Sequence, residues 1–213
     1  MEERYPTVDR ALDKLTSALE EVENLPYDGE AVDQLQHALQ CAALARAADR
    51  VPEVVLVALL HDVGRSPVAL RDLRDAGVEG GEHGYLAGIW LRPLLGERVA
   101  WLAEQHVKAK RYFVATDPAY ERGLSETSRR TLRRQGGPMD PEEVAAFERH
   151  PRWRDAAALR RWDDLGKDPD AEVQPLADYE EDLRAVVSAH FSGPATSRQK
   201  GFGSGVRGAE WGS

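Results

Sequence analysis

The chain has 213 residues, 42% hydrophobic and 31% charged, enough for one domain with a full core. Its net charge of −9 argues against nucleic-acid binding, which normally needs a basic face, but leaves room for a small anion in a locally cationic pocket. Cys41 is the only cysteine, which excludes an internal disulfide and a thiolate metal site; any metal falls to imidazole and carboxylate donors, which suit iron, zinc or manganese.

Apolar residues recur at helical spacing almost throughout and β-branched runs are scarce, so an all-α fold is expected. Leu12, Leu15, Leu19 and Val22 predict a first helix over roughly residues 8–24, broken at Leu25-Pro26 because the residue before a proline avoids the α region. A second helix is expected over about residues 29–49, with Val32, Leu35, Leu39, Ala42 and Ala43 facing inward. Pro52 suits the first turn of a buried helix over 53–63, which Gly64 ends. That helix carries the longest apolar run, Val54 to Leu60, too short to cross a bilayer. Residues 67–81 read as a surface loop with one short helical turn. The Gly80-Gly81 pair leads into a helix over about 82–91, kinked by Pro93, and residues 98–115 form the next. Asp117-Pro118 reads as a turn, Ser125 as the N-cap of a helix ending near Arg134, and Gly136-Gly137-Pro138 as a stop. Pro141 opens another helix, and two more follow near 152–165 and 176–190. From Ser192 the chain turns Gly- and Ser-rich and loses its apolar period, which predicts a disordered tail over 192–213 and a folded domain over 1–191. The first residues, MEERYPTVDRALDKL, lack an apolar leader core, so a cytoplasmic location with no membrane partner is expected.

Six histidines are spread along this pattern. Four of them, His37, His61, His83 and His106, fall on expected helices in the most apolar half. His61-Asp62 closes the buried helix VVLVALLHDVG, so the pair leaves the core where the helix ends, and a metal there relieves the cost of a buried carboxylate. Asp62 can bridge two ions through its two oxygens. A single histidine of this kind is usually a hydrogen-bonded core residue; the weight comes from the set. His150 and His190 lie outside it and are expected at the surface. Lys110 follows His106 by four residues on the same helix face, a placement that suits an anion between them. Ser128 and Thr131 form a second same-face pair able to donate hydroxyls to that anion. Trp162-Asp163, in RRWDDLGKD, offers a further carboxylate, and spacing alone does not choose Asp163 over Asp164.

The order His, His-Asp, His, His, Asp resembles the HD-domain superfamily, an all-α helical bundle. Within it, the stretches YDGEAVDQLQHALQCA, ALLHDVGR, EHGYLAGIWLRPLLG, EQHVKAKRYF, LSETSRRTLRRQGGPM and RRWDDLGKD, over roughly residues 27–167, resemble the 2-amino-1-hydroxyethylphosphonate dioxygenase family. The resemblance implies two iron ions in a mixed-valent Fe(II)/Fe(III) pair, with O2 as co-substrate for cleavage of a carbon–phosphorus bond. It implies His37, His61, Asp62 and Asp163 as ligands of one iron and Asp62, His83 and His106 as ligands of the other, with Asp62 bridging. It places Lys110, Ser128 and Thr131 on the phosphonate, and Tyr27 and Glu30 over the site, with Glu30 facing the amine of a zwitterionic substrate. Phosphate and an amino acid such as glycine are the implied products. Arg65 departs from the pattern, since family members can carry histidine there; a guanidinium is itself suited to a phosphonate.

Three other readings compete. A metal-dependent phosphohydrolase acting on a small phosphate ester would use the same ligands, but Tyr27, Glu30 and Lys110 suit a short zwitterion. A silent binding module is at odds with a complete ligand set, and a polyol oxygenase gives no reason for the phosphonate-gripping positions. The sequence leaves the oligomeric state open and is compatible with a monomer.

Overall fold

The computed structural model describes residues 7–27 and 29–193, so the expected tail lies outside the described residues from position 194 on. Among the described residues there are ten α-helices, two 3-10 turns and no strand, as the apolar period implies. Nor is any of these helices long and apolar enough to cross a membrane.

The centre of the molecule is α3 (Pro52–Leu60), with Pro52 in its first turn and every residue from Val54 to Leu60 buried. A helix apolar on all sides must be surrounded. It packs against α2 (Gln34–Ala47), α5 (His83–Thr116), α9 (Trp153–Leu165) and α10 (Glu180–Ser192). Each of its buried Val and Leu side chains contributes roughly 1.5–3 kcal/mol of transfer free energy. On the outside, α1 (Val8–Glu20) bridges α10 and α4 (Pro67–Asp75).

Several boundaries differ from the sequence expectation. The second helix begins at Gln34, because the Asp33 carboxylate accepts the Gln36 amide at 2.8 Å and caps it there. The preceding residues are thereby left as a loop that carries Tyr27 and Glu30. Residues 67–75, expected as loop, form α4: Pro67 opens it, and Ala69 and Leu73, four apart, are buried on one face. Asp117-Pro118 starts a short helix, α6 (Pro118–Gly123), with the Asp117 carboxylate accepting the Ala119 and Tyr120 amides. The remaining helices, α7 (Glu126–Arg134), capped by Ser125, and α8 (Pro141–Arg149), opened by Pro141, fall where expected.

The largest departure is in α5. Its break falls at Gly96, with φ 83° and ψ 178°, and not at Pro93. His83 and His106 lie 23 residues apart, which would separate them by about 35 Å on a straight helix. Their Nε2 atoms are 2.9 Å apart, so the two limbs fold back on each other about Gly96. Gly84 permits that approach, since a Cβ there would lie 2.9 Å from the His106 ring.

After His61-Asp62, a 3-10 turn (Val63–Arg65) rests on the first turn of α5. A Cβ at Gly64 would overlap the His83 carbonyl and come within 2.8 Å of the Ala87 amide, both of them backbone atoms. Gly64→Ala is expected to cost roughly 1–3 kcal/mol of stability or more by overpacking. A lowered Tm by calorimetry checks this; an unchanged Tm would show that the contact is not tight.

Candidate metal centre

Each of the four helix histidines has one ring nitrogen held on an oxygen. His37 Nδ1 lies 2.7 Å from the Gly166 carbonyl, His61 Nδ1 2.9 Å from Ala58, and His106 Nδ1 2.6 Å from Ala103. His83 Nδ1 lies 2.6 Å from the Glu82 carboxylate. These partners fix the rings so that all four Nε2 atoms turn toward one another, the orientation that holding a metal requires. His37 and His61 approach to 3.3 Å at Nε2, and His83 and His106 to 2.9 Å.

Asp62 stands between the two pairs. Its Oδ1 is 3.1 Å from His83 Nε2 and 3.4 Å from His106 Nε2, while its Oδ2 is 3.9 Å from His61 Nε2. Both oxygens are buried without a hydrogen-bond partner. Asp163 joins from α9, its Oδ1 3.7 Å from His37 Nε2 and accepting the Tyr27 hydroxyl at 3.3 Å. Arg160, one turn earlier on that helix, donates to Asp163 Oδ2 at 2.6 Å. Asp164 turns elsewhere, pairing with Arg160 and accepting the Tyr120 hydroxyl at 2.6 Å. All six residues named from the sequence thus converge. His150, stacked on Trp101 at 3.5 Å, and His190, against Gly96, are half-buried outside the group.

The residues fit two cations. Imidazole nitrogens and carboxylate oxygens suit iron, manganese or zinc, and the unpartnered Asp62 oxygens are what a bridging carboxylate would present. Burial pushes the His37 and His61 rings down, His61 to about 4, so they are neutral, as ligands must be. Against the opposing effect of burial, Arg65, His61 and His83 hold Asp62 well below the usual carboxylate range, and Arg160, His61 and His37 do the same for Asp163. Burial also opposes a charge on His83, yet Asp62 and Glu82 raise it to about 9. A cation at Nε2 would replace that proton. Cys41 also lies near, its sulfur 3.6 Å from His37 Nε2 and donating to the Trp162 carbonyl at 3.4 Å, so His37, Cys41 and His61 form a group that could itself hold a cation, and the expectation of no thiolate donor is corrected to that extent.

The cluster opens on a cavity of about 50 Å³, lined by His83, His106 and Asp163 together with Tyr27, Glu30, Arg65, Lys110, Ser128 and Thr131. Every substrate-site residue named from the sequence is therefore on its wall. A small apolar group of Val114, Tyr120, Leu124 and Leu132 pins α7 to the second limb of α5. That docking brings Lys110 Nζ to 2.9 Å from Thr131 Oγ1. Arg65 lies 3.5 Å from Asp62 Oδ2, and its guanidinium is 5.6 Å from the centre of the Tyr27 ring. Sequence reasoning missed Glu82, Arg160, Gln135 and Lys167, which also serve the site. Only Arg160 carried a readable signal, its spacing of three and four from Asp163 and Asp164.

Burial, and then the neighbouring Arg160, lower the Lys110 ammonium to about 8, against the pull of Asp163, Asp164 and Glu82. An oxyanion in the cavity needs that ammonium charged, so its binding is strongest below that value and weakens as pH rises through it. Calorimetric titration of metal-loaded protein with a small phosphonate is expected to show this loss, and Lys110→Arg to move it to higher pH. Binding that stays level through pH 8 in the wild type would contradict it.

The HD domain family matches residues 35–183. The hydroxymethylphosphonate dioxygenase of Gimesia maris is 36% identical over 162 residues, covering 76% of this chain and 80% of that protein. The [1-hydroxy-2-(trimethylamino)ethyl]phosphonate dioxygenase (glycine-betaine-forming) of Leisingera caerulea is 34% identical over 165 residues, covering 78% of this chain and 84% of that protein. The chain belongs to the HD-domain family, in the branch that holds these two dioxygenases.

Proposed function

We propose that the chain is an iron- and O2-dependent enzyme that cleaves the carbon–phosphorus bond of a small 1-hydroxyphosphonate. The observation that carries this reading is the junction of two features in one cavity. The open side of the Asp62 cluster meets Lys110, Ser128 and Thr131 there, a set suited to a phosphonate. The names of the two relatives support the same reaction class, and one of them states a carboxylic acid product.

The reading assigns one ion to His37, His61, Asp62 and Asp163 and a second to Asp62, His83 and His106, as a mixed-valent iron pair. Bound there, iron supplies O2 activation and a Lewis-acidic position for the substrate hydroxyl. The chain's own residues do the rest. Lys110 donates a charge-assisted bond to the phosphonate from a site where burial strengthens the attraction. Ser128, in the first turn of α7, adds a hydroxyl near the positive end of a helix. Tyr27, 6% exposed, forms part of the cavity wall and holds Asp163 Oδ1 through its hydroxyl. Arg160 holds the other oxygen of Asp163, so that only one of the two remains to bind metal.

The overall change balances with O2 as the sole oxidant. The carbon–phosphorus bond and the C1–H bond break; one oxygen atom of O2 goes to carbon and one to phosphorus, giving a carboxylic acid and phosphate. With an aminomethyl substituent the acid is glycine; with hydrogen alone it is formic acid.

Purified protein loaded with ferrous iron is expected to release phosphate from a 1-hydroxyphosphonate, with matching consumption of O2. Lys110→Ala is expected to raise KM roughly 30-fold or more, as loss of one partner of a buried charge pair does. Phosphate release that persists without O2, or with magnesium in place of iron, would point to hydrolysis instead.

A further inference from the structure

Among the described residues the cavity wall holds two carboxylates, Glu30 and Asp163, against four cationic side chains, Arg65, Lys110, Arg160 and Lys167. Asp163 is committed to Arg160 and the histidine cluster, so of these two acids Glu30 is the one able to receive an ammonium group. Glu30 is already engaged. Its Oε1 is 3.6 Å from Lys167 Nζ and accepts the Ser125 hydroxyl at 3.2 Å. The aromatic alternative is taken as well. Lys167 Nζ and the Arg65 guanidinium each lie 5.6 Å from the centre of the Tyr27 ring, on the side chain a quaternary ammonium would otherwise use. Metal cations bound at the histidine cluster would add to this positive field. A positive charge on the substrate therefore meets repulsion here and has to displace Lys167 to find a counter-ion.

Lys167 is not loosely held. It directly follows Gly166, whose carbonyl bonds His37 Nδ1, and its own amide bonds the Leu165 carbonyl at 2.9 Å. A Cβ at position 166 would lie 2.7 Å from the Cys41 sulfur, so the turn that presents Lys167 is packed against α2. The same backbone bond that orients His37 thus fixes the stem of the lysine, and its ammonium reaches from there to Glu30 and the face of Tyr27.

We propose that Lys167, by occupying Glu30, sets this site for a 1-hydroxyphosphonate whose carbon bears no cationic substituent. Hydroxymethylphosphonate is the smallest member of that class. The inference rests on the reaction class proposed above. Lys167 acts as a specificity-determining residue: it touches Glu30, not the reacting atoms.

The test uses the full chain loaded with iron and compares kcat/KM for hydroxymethylphosphonate and for 2-amino-1-hydroxyethylphosphonate, read by O2 consumption. Anaerobic calorimetry gives the Kd of each. The wild type is expected to favour hydroxymethylphosphonate by about tenfold or more, and Lys167→Met to move the ratio about tenfold toward the amine, the size of one lost charge contact. Lys167→Arg is expected to keep the wild-type ratio. A merely structural role for Lys167 would lower both substrates together and leave the ratio alone. A wild type that favours the amine overturns the proposal, as does an unchanged ratio in folded, metal-loaded Lys167→Met. The wild-type comparison stands even if Lys167→Met does not fold. If neither compound is consumed in either assay, the reaction class itself fails, and this inference with it.

Discussion

One buried carboxylate organises the molecule. Asp62 leaves the core at the end of α3 with its Oδ1 turned toward His83 and His106 and its Oδ2 toward His61 and Arg65, whose Nε is 3.5 Å away. A charge so placed is costly unless cations meet it on both sides. The surrounding structure serves that meeting. Helix α3 is apolar on every face, so its end is fixed by its neighbours, and Asp62 has little freedom to swing toward water. The Gly64 turn seats the carboxylate against the first limb of α5, and the reversal at Gly96 returns the second limb with His106. Helix α9 closes the far side with Asp163, and its Gly166 carbonyl orients His37.

Around that centre the charges are layered. The innermost groups are four imidazoles and two carboxylates, with the His37 and His61 rings held neutral by burial. The next layer orients them: backbone carbonyls behind three histidines, Glu82 behind His83, and Arg160 behind Asp163. Glu82 is the exception among the four ring partners, since a carboxylate makes its histidine a stronger electron donor than a carbonyl does. Beyond these lie the groups that meet an anion, with Lys110 foremost because its ammonium is half-starved of solvent and bonds only the Thr131 hydroxyl among the described residues. An acidic protein thereby holds a cationic pocket, and its net charge gives no hint of it.

How much of this was legible from residues alone follows from what periodicity records. The helices around α3 were readable because buried faces repeat every three to four positions, and His61-Asp62 was readable because it ends the most apolar of them. The six-residue cluster followed from their order and from the family resemblance. The fold-back of α5 was not readable: Pro93 is the louder local signal, yet Gly96, with its positive φ, turns the chain. Helix α4 was hidden between proline and glycines although Ala69 and Leu73 carry a buried face. Spacing left Asp163 and Asp164 equivalent, and only the opposed partners of the two, the metal cluster and Tyr120, separate them. Lys167 lies in the quoted stretch RRWDDLGKD, but its pairing was not readable, because it depends on a carboxylate 137 positions earlier that a loop brings beside it.

Two cations, one on each side of the Asp62 carboxylate, are what this arrangement of side chains calls for. Anomalous diffraction at the iron edge from crystals of iron-loaded protein locates them. Two peaks are expected about 3.5–4 Å apart, one among His37, His61 and Asp163 and the other between His83 and His106. A single peak, or iron bound away from Asp62, would contradict it.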